Sequence, residues 1–291
     1  MKCKDIILSV LGKYSHNGKY AFVLSYLHNR HRFPNLDNPK DLSELYIQRV
    51  LSGEINKIYY LADKYKVRDY IKEKGLEQIL TPLIDVYDKA TEIDFSKLPN
   101  KFALKLNYGA GMNIICQDKS RLNIEDSVKK LDNWLNRKVL YSYSEQHYNL
   151  IKRKIVCEEY IDDGSGGFPI DYKFMCICGK VHCILACSGR ENGHADYLPY
   201  SLNWDPLYDY YKTIKPQNHL LPKPSNLEEM INIAEILSQD IDLVRVDLYS
   251  NGSKIWFGEM TLTPAGCIFH RWSDKGLFEM GQFYLNNRSV N

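Results

Sequence analysis

The sequence predicts an α+β fold in which antiparallel β-hairpins alternate with helices. Two hairpins carry this prediction. Apolar strands at 243–249 and 254–264 flank the turn residues Asn251-Gly252-Ser253, and strands at 101–106 and 113–117 flank a glycine-rich loop. Turns this short connect antiparallel strands. A third observation is the helical spacing of apolar residues at 124–134, which is typical of an amphipathic helix.

The first part of the chain is predicted to be mostly helical. Residues 1–60 form an irregular region with helices at 20–29 and 41–51, and Asp41 or Ser43 caps the second helix. The elements that follow are a short strand at 57–61, a basic helix at 63–74 that ends at Gly75, and a strand or loop at 79–87 that Pro82 interrupts.

The second part of the chain is predicted to be richer in strands. A strand at 154–161 and a hairpin at 174–187 precede a long segment, residues 189–226, that is rich in Tyr, Pro and Asn. We expect this segment to be a functional loop with little regular structure, because loops of such length are rarely idle. A helix at 227–237 leads into the last hairpin.

The composition argues against several classes of protein. The 291 residues carry a formal net charge of +2, and 25% of them are charged, so nothing marks the whole chain as a nucleic-acid or membrane protein. The apolar run at 6–11 is too short to span a bilayer, and no small-residue cleavage site follows it. We therefore expect a cytoplasmic protein with no nucleic-acid partner and no integral membrane segment.

Four of the eight cysteines lie close together, at Cys176, Cys178, Cys183 and Cys187. Their spacing lacks the C-x₂₋₄-C pairs of common zinc sites. A hairpin about Gly179-Lys180 would place all four thiols on one face with Phe174, Val181 and Leu185, where cysteine packs as a small hydrophobe. Packing and metal binding are the two alternatives, and we favour packing.

The last hairpin carries charges in strands that are otherwise apolar, where a charge is costly unless it is paired. A two-residue turn would place Asp247 and Glu259 on opposite faces of the sheet. A three-residue turn at 251–253 with a bulge, in which Gly252 adopts a positive φ, places both carboxylates on one face. There they could bind Mg²⁺, which commonly takes one or two carboxylates together with nucleotide phosphates. The alternative is a ladder of solvated salt bridges.

Two further motifs could contact a nucleotide. In residues 105–111 the glycines allow backbone N–H groups to approach a phosphate and Lys105 supplies a positive charge, although a plain hairpin has the same appearance. No Gly-Lys-Ser/Thr follows, so this is not a Walker loop. The strand at 154–161 could present backbone groups to an adenine and an acidic residue to a ribose, or it could be an ordinary strand end.

The order of these motifs resembles the ATP-grasp superfamily, and their detail resembles its TupA-like family, which is found beside bacterial surface-polysaccharide genes. Residues 33–39, 61–70, 98–105 and 257–264 carry the resemblance, and they read FPNLDNP, LADKYKVRDY, LPNKFALK and FGEMTLTP. The resemblance implies an ATP-grasp fold, in which two α+β subdomains grip ATP between antiparallel sheets. It also implies a reduced, mostly helical N-terminal subdomain at 1–60, a small subdomain with the glycine flap at 61–160 and a large subdomain with the metal-binding hairpin at 161–291.

The resemblance implies a role for each motif residue in binding ATP. Lys64 or Lys66 would be the first nucleotide-contacting lysine and Lys105 the second. The loop that contains Asn107, Gly109 and Gly111 would close over the phosphates. The adenine-contacting linker would comprise Glu158, Glu159, Tyr160 and Ile161, with Asp162 or Asp163 near the ribose.

The remaining implied roles concern the phosphates, the metal and the substrate. Asp171 and Lys173 would face the phosphates, and Arg245 would meet the charge that develops on the transferred phosphate. Arg190 would lie in the substrate region. Asp247 and Glu259 would bind Mg²⁺. Thr261 stands where the superfamily usually has Asn, so whether the hairpin binds one Mg²⁺ or two is an open question.

The activity that the resemblance implies is ATP-dependent carboxylate–amine ligation. A carboxylate attacks the γ-phosphate of ATP to give an acylphosphate, and an amine then displaces phosphate to form an amide. The family context implies a uronic acid of a capsular or other surface polysaccharide as the carboxylate substrate, and an amino acid or small amine as the other. The alternatives are a kinase for a sugar or small-molecule hydroxyl and a non-catalytic polysaccharide-binding protein. The sequence does not indicate the oligomeric state.

One set of aromatic residues in the long segment could line a sugar-binding surface or simply anchor the segment. The set comprises Tyr197, Tyr200, Trp204, Tyr208, Tyr210 and Tyr211.

Overall fold

The computed structural model describes residues 18–137, 143–164, 169–189, 195–212 and 220–288. The α-helices in these ranges are α1 (Lys19–Arg30), α2 (Leu42–Leu51), α3 (Val67–Glu73), α4 (Ile124–Leu135), α5 (Leu227–Ser238) and α6 (Asp274–Asn287). The strands are β1 (Leu83–Tyr87), β2 (Phe102–Leu106), β3 (Asn113–Cys116), β4 (Ile155–Glu159), β5 (Asp171–Ile177), β6 (Lys180–Ser188), β7 (Asp196–Tyr200), β8 (Leu243–Ser250) and β9 (Ile255–Thr261).

The strands form two sheets in which all paired neighbours are antiparallel, and this confirms the α+β prediction. Sheet 1 has the order β1-β4-β2-β3, and sheet 2 has the order β7-β6-β5-β8-β9. The glycine loop joins β2 to β3 in sheet 1. The carboxylate hairpin is β8 and β9 at the edge of sheet 2. Both predicted hairpins are therefore present, one in each sheet.

Sheet 2 separates two apolar cores. One face packs on α5, with Phe174 and Val246 in contact with Met230 and its neighbours. The opposite face packs on α1, α2 and α6, with Met175 and Leu243 among the buried residues. Along their strands, Lys173, Arg245 and Asp247 alternate with residues of the first core, so they lie on the second face. This part of the second face is therefore charged and not apolar. Sheet 1 has a separate core on α4.

The predicted N-terminal helices are confirmed, and Asp41 caps α2. The Asp41 carboxylate accepts a hydrogen bond from the Glu44 backbone N–H at 2.9 Å, which together with Glu44 completes a capping box. The hydroxyl of Ser43 instead donates to the backbone oxygen of Cys267. This contact ties α2 to the segment that follows β9.

The strand predicted at 57–61 is wrong. Two short 3₁₀ turns, Glu54–Lys57 and Tyr59–Ala62, occupy this part of the chain. Leu61 and Ala62 are buried in the core that includes β9, and turns can place them there without a partner strand. Tertiary contacts therefore decide the backbone conformation here, although the short apolar run favours a strand.

The prediction that four thiols share one face is also wrong. A bulge in β6 at His182, opposite the step from Met175 to Cys176, reverses the alternation of β6. As a result Cys176 is buried in the α5 core with Phe174 and Val181, whereas Cys183 packs with Leu185 on the opposite face. The thiols are divided between two cores, where they contact apolar side chains.

The segment 189–226 contains more regular structure than predicted. Strand β7 extends sheet 2 by pairing with β6, and a 3₁₀ turn covers Tyr208–Tyr210. Tyr200 and Trp204 stack with their ring centroids 4.0 Å apart and are almost completely buried. The prediction of an irregular loop failed because these aromatic residues anchor an edge strand. None of the helices in the described ranges combines the length and the apolar character needed to cross a bilayer.

Candidate active site

Asp247 and Glu259 are direct cross-strand partners, so their side chains lie on the same face of sheet 2. The predicted shared face is confirmed, but the predicted three-residue turn is wrong. Ser250 pairs with Ile255, so the connecting loop has four residues, with Gly252 at φ +90°. The pairing shifts by one residue at Gly258, and this bulge brings Glu259 opposite Asp247.

Replacing Gly258 by Ala is expected to disturb this pairing. A Cβ at position 258 would lie 2.9 Å from the backbone oxygen of Asp247 and 3.2 Å from Cε2 of Tyr249, so the two strands must separate. We expect unfolding free energy to fall by about 1–3 kcal/mol. Urea denaturation would measure the loss.

The control for this change is Gly53→Ala. Gly53 has φ +79° and no heavy atom within 4 Å of an added Cβ, so its replacement adds backbone strain of about 1–2 kcal/mol without a clash. Circular dichroism would establish that both variants fold. A fully stable Gly258→Ala protein would contradict the proposed role of the bulge.

Arg245 and Lys173 hold the Asp247 carboxylate from two sides. Arg245 donates to both carboxylate oxygens, from Nε at 2.6 Å and from Nη2 at 2.7 Å. Lys173 Nζ donates to Asp247 at 2.6 Å and to Asp171 at 2.6 Å. The Asp247 side chain is only 2% exposed, so its charge depends on these partners.

Glu259 and Thr261 complete the same group of side chains. Arg245 Nη2 lies 3.2 Å from Glu259 Oε1 and donates to the Thr261 hydroxyl at 3.0 Å. Thr261 in turn donates to Glu259 at 3.2 Å. We call Asp171, Lys173, Arg245, Asp247, Glu259 and Thr261 the charge cluster.

The electrostatics keep these groups ionised. Burial favours the neutral form of Glu259, but the fields of Lys64 and Arg245 outweigh it and lower the pKa of Glu259 to about 2. Burial also opposes the charges on Lys173 and Arg245, and Asp247 more than compensates, so the pKa of each cation is raised. Both Glu259 and its cations are therefore charged at neutral pH.

Lys64 connects the glycine loop of sheet 1 to the charge cluster. Its Nζ donates to the backbone oxygen of Gly109 at 2.6 Å and lies 3.6 Å from Glu259 Oε2. Gly109 and Gly111 adopt φ values of +67° and +75°, which favour glycine. Lys66, the alternative lysine, is exposed at the residue before α3. The geometry therefore favours Lys64.

The side chain of Asn107 anchors the glycine loop to the rest of the protein through hydrogen bonds. It is completely buried, donates to Asp63 at 2.9 Å and to the Lys152 backbone oxygen at 3.0 Å, and accepts from the Lys154 N–H. The Asn107 side chain therefore has a structural role, and closure of the loop from Asn107 to Gly111 over the phosphates stays a prediction.

Glu158 is likewise a counter-ion within the protein. Its two oxygens accept from Arg68 at 2.9 Å and from Lys105 at 2.8 Å, and its side chain is 10% exposed. These ion pairs occupy the Glu158 side chain, and contact of the linker 158–161 with adenine stays a prediction. The same arrangement places Lys105 beside Arg68, at the join between the two sheets, where both line a small cavity with Lys64.

A larger cavity of about 300 Å³ opens between the sheets next to Lys105. Its walls come from sheet 1, from the segment after β4 and from sheet 2. The lining residues are Ala103, Lys105, Asn113, Ile115, Glu159, Tyr160, Ile161, Pro169 and Tyr249. Three predicted linker residues, Glu159, Tyr160 and Ile161, therefore face a space of ligand size.

Asp162 and Asp163 directly follow the cavity-lining segment that ends at Ile161. Asp163 follows the lining residue Ile161 by two positions. Asp162 is paired with Lys101 at 2.9 Å. Arg190 lies outside the described residues.

The family comparison decides what this architecture is. A family model described as TupA-like ATP-grasp matches residues 44–280. The chain belongs to the TupA-like ATP-grasp family. It therefore belongs to the ATP-grasp superfamily of carboxylate–amine ligases.

Several solved structures are similar to this TupA-like protein at low identity. An L-amino acid ligase from Bacillus licheniformis is 13% identical, with a TM-score of 0.45, over 90% of this chain and 55% of that one. D-alanine–D-alanine ligase from Bacillus anthracis, complexed with ATP, is 15% identical, with a TM-score of 0.42, over 69% and 55% of the two chains. The D-cycloserine synthetase DcsG is 12% identical, with a TM-score of 0.45, over 79% and 72%.

The chain spans little more than half the length of the first solved structures that it matches. No curated protein matches its sequence.

The donor set of this TupA-like protein fits Mg²⁺ bound together with phosphates. Two facing carboxylates and one hydroxyl supply oxygen ligands, which Mg²⁺ prefers. Within the described ranges, no group of three or more His, Cys, Asp or Glu residues could hold a metal ion by itself. The carboxylate pair therefore suits a metal that takes its other ligands from a nucleotide and water.

Sequence reasoning missed several residues that shape the TupA-like site. Arg68 was noted only as part of a basic helix, but it holds Glu158. Gly258 sets the register, and a glycine inside an apolar strand is a recognisable bulge signal. Pro169 and Tyr249 line the cavity, although nothing in their local sequence indicates a ligand.

Proposed function

We propose that this protein is an ATP-dependent ligase that joins a carboxylate to an amine through an acylphosphate. The observation that carries the proposal is the Asp247–Glu259 pair, which is held by Arg245 and Lys173 and approached by Lys64 from the glycine loop. Family membership supports the same reaction. In this arrangement the two carboxylates would supply oxygen ligands for one metal ion. The neighbouring lysines and arginine would supply positive charges for phosphates.

ATP would lie between the sheets, with its base in the 300 Å³ cavity beside Glu159, Tyr160 and Ile161. Its phosphates would extend past Lys105 toward the charge cluster, under the loop that contains Gly109 and Gly111. Positive φ at these glycines leaves backbone N–H groups accessible to a phosphate. We propose Asp163 for the ribose.

Asp247 and Glu259 would hold Mg²⁺, and Thr261 is close enough to Glu259 to contribute a hydroxyl oxygen. The bound metal would screen negative charge on the phosphates. Arg245 and Lys173 would stabilise charge on the transferred phosphoryl group, and Asp171 orients Lys173 through their 2.6 Å hydrogen bond. We propose that Arg190 contributes to substrate binding.

We propose a uronic acid of a capsular or other surface polysaccharide as the carboxylate substrate, and an amino acid or small amine as the second substrate. The division into regions 1–60, 61–160 and 161–291 remains part of the proposal. It is supported by the strand positions, because sheet 1 lies between residues 83 and 159 and sheet 2 between 171 and 261.

The test is ADP release measured across pairs of uronic acids and amines. A ligase should release ADP and free phosphate only when both partners are present, and mass spectrometry should detect the amide. A stable phosphorylated sugar would instead identify a kinase. Absence of Mg²⁺–ATP binding, together with absence of turnover for every pair, would refute the ligase proposal.

A further inference from the structure

We propose that Tyr197, Tyr211 and Arg271 form the subsite that holds the acidic sugar substrate next to the charge cluster. This inference rests on the proposed function, because it names where the carboxylate substrate of that reaction would bind. It also predicts a binding preference for an anionic sugar that can be measured without turnover.

The position of Tyr197 follows from the strand register. Tyr197 on β7 pairs with Cys187 on β6, and Cys187 pairs with Asp171 on β5. Directly paired residues share a face of the sheet, so Tyr197 lies on the face that carries the charge cluster. Two strand spacings separate Tyr197 from Asp171, which is about 10 Å. The subsite is therefore within the length of one sugar ring and its substituents from the cluster.

Arg271 reaches the same place from the segment after β9. Its guanidinium carbon lies 4.9 Å from the centre of the Tyr197 ring, a cation–π distance, and the residue is exposed. A guanidinium that stacks on a ring through its face keeps its N–H edge available for a carboxylate. The pair thus presents an oriented positive charge toward solvent.

Tyr211 is held next to the position of Arg271. It forms a backbone bridge with Trp272 and an edge-to-face ring contact with it at 5.1 Å. Burial raises the pKa of Tyr211 and outweighs the opposing fields of nearby cations. The hydroxyl therefore stays protonated at neutral pH and can donate a hydrogen bond.

The surroundings of His270 are rich in cations. The pKa of His270 is lowered by burial and then by the fields of Arg271, Arg30 and Lys212. Because Arg30 is paired with Asp274 at 3.0 Å, the exposed Arg271 is the cation that an anionic ligand would meet. A tyrosine ring next to a guanidinium suits the apolar face and the carboxylate of a hexuronic acid.

Two other aromatic residues of this region are buried anchors. Tyr200 is buried in its stack with Trp204, and Tyr210 donates to Glu279 at 2.6 Å. Tyr197 and Tyr211 are half-buried and pack against the core on the face of sheet 2 that carries the charge cluster, whereas Tyr208 is exposed. This distinction could not be drawn from the sequence.

The test compares binding of methyl glucuronide and methyl glucoside, which differ in the carboxylate. Calorimetry or ligand-observed NMR is run with and without Mg²⁺ and a non-hydrolysable ATP analogue. We expect the glucuronide to bind at least about 10-fold more tightly, and Arg271→Gln to remove that preference. Arg271→Lys should recover only part of it, and Tyr197→Phe should bind better than Tyr197→Leu because it keeps the ring.

The matched control is Arg121→Gln, which removes an exposed arginine from the segment between β3 and α4 and should leave sugar binding unchanged. Nucleotide binding by Arg271→Gln reports that the variant is folded. Equal binding of the two sugars, no binding of either, or wild-type preference in Arg271→Gln would overturn the subsite. Arg271-dependent sugar binding by a protein that neither binds Mg²⁺–ATP nor turns over any uronic acid–amine pair would leave the subsite standing and refute the ligase proposal instead.

Discussion

Replacing Asp247 by Asn is expected to lower the rate of ADP release by about 10³-fold or more, comparable to the loss of a preorganised charge from a transition state. The Asp247 carboxylate is buried, is the partner of both Arg245 and Lys173, and is the proposed ligand of Mg²⁺. The Asn side chain has nearly the same size as that of Asp but carries no charge. The measurement is the rate of ADP release as a function of Mg²⁺ concentration.

Asp240→Asn is the matched control for this variant. Asp240 makes an ion pair with Lys74 at 3.1 Å, but its side chain is 77% exposed, and exposed pairs contribute little. We expect this control to keep wild-type turnover. Circular dichroism would report whether Asp247→Asn is folded, since two buried cations lose their partner. An Asp247→Asn enzyme with more than about a tenth of wild-type activity and an unchanged Mg²⁺ dependence would exclude the proposed metal site.

Replacing Lys105 by Met is expected to lower kcat/KM for ATP by about 10²–10³-fold. Lys105 lies between the 300 Å³ cavity and the charge cluster, where it would meet the phosphates, and Met preserves the length of the side chain without its charge. Glu158 would keep Arg68 as a partner, so we expect the fold to survive. Steady-state kinetics at varied ATP concentration would measure the change.

Lys97→Met provides the comparison on the same stretch of chain. Lys97 lies five residues before β2, and its side chain is 82% exposed and paired with Asp94 at 3.2 Å. Its replacement should alter kcat/KM for ATP by less than about threefold, because exposed pairs are weak. If both lysine variants lose activity equally, the effect would reflect the charge of sheet 1 as a whole and not a contact of Lys105 with ATP.

The sequence was sufficient to predict the elements whose signals are local. Both hairpins were found because apolar strands flank short glycine-containing turns, and α2 was placed by its helical spacing with Asp41 as one of two candidate caps. Strand β7 was missed because its pairing with β6 is not visible in the local pattern of a segment rich in Tyr, Pro and Asn. The bulge in β6 at His182 was missed because it depends on the partner strand.

The candidate site was predictable as a list of residues but not as a set of contacts. The resemblance placed Lys105 and Glu158 at the nucleotide site, and only the structure shows that the two side chains pair with each other. Asn107 was predicted to lie in the glycine flap. Its side chain is buried in a hydrogen bond with Asp63, a residue 44 positions earlier in the chain. Such pairings are set by tertiary packing, which no single-sequence pattern encodes.

The composition of the cluster has a thermodynamic consequence. Together with Lys64 it contains three cations and three carboxylates, so its formal charges cancel before any ligand arrives. In the function proposed above, Asp247 and Glu259 would turn to a metal ion, and Arg245, Lys173 and Lys64 would lose counter-ions and become available to phosphates. Binding at this site would then be an exchange of counter-ions and not a neutralisation. The metal and the nucleotide would be linked through the same six side chains, and each would raise the affinity for the other by the same factor.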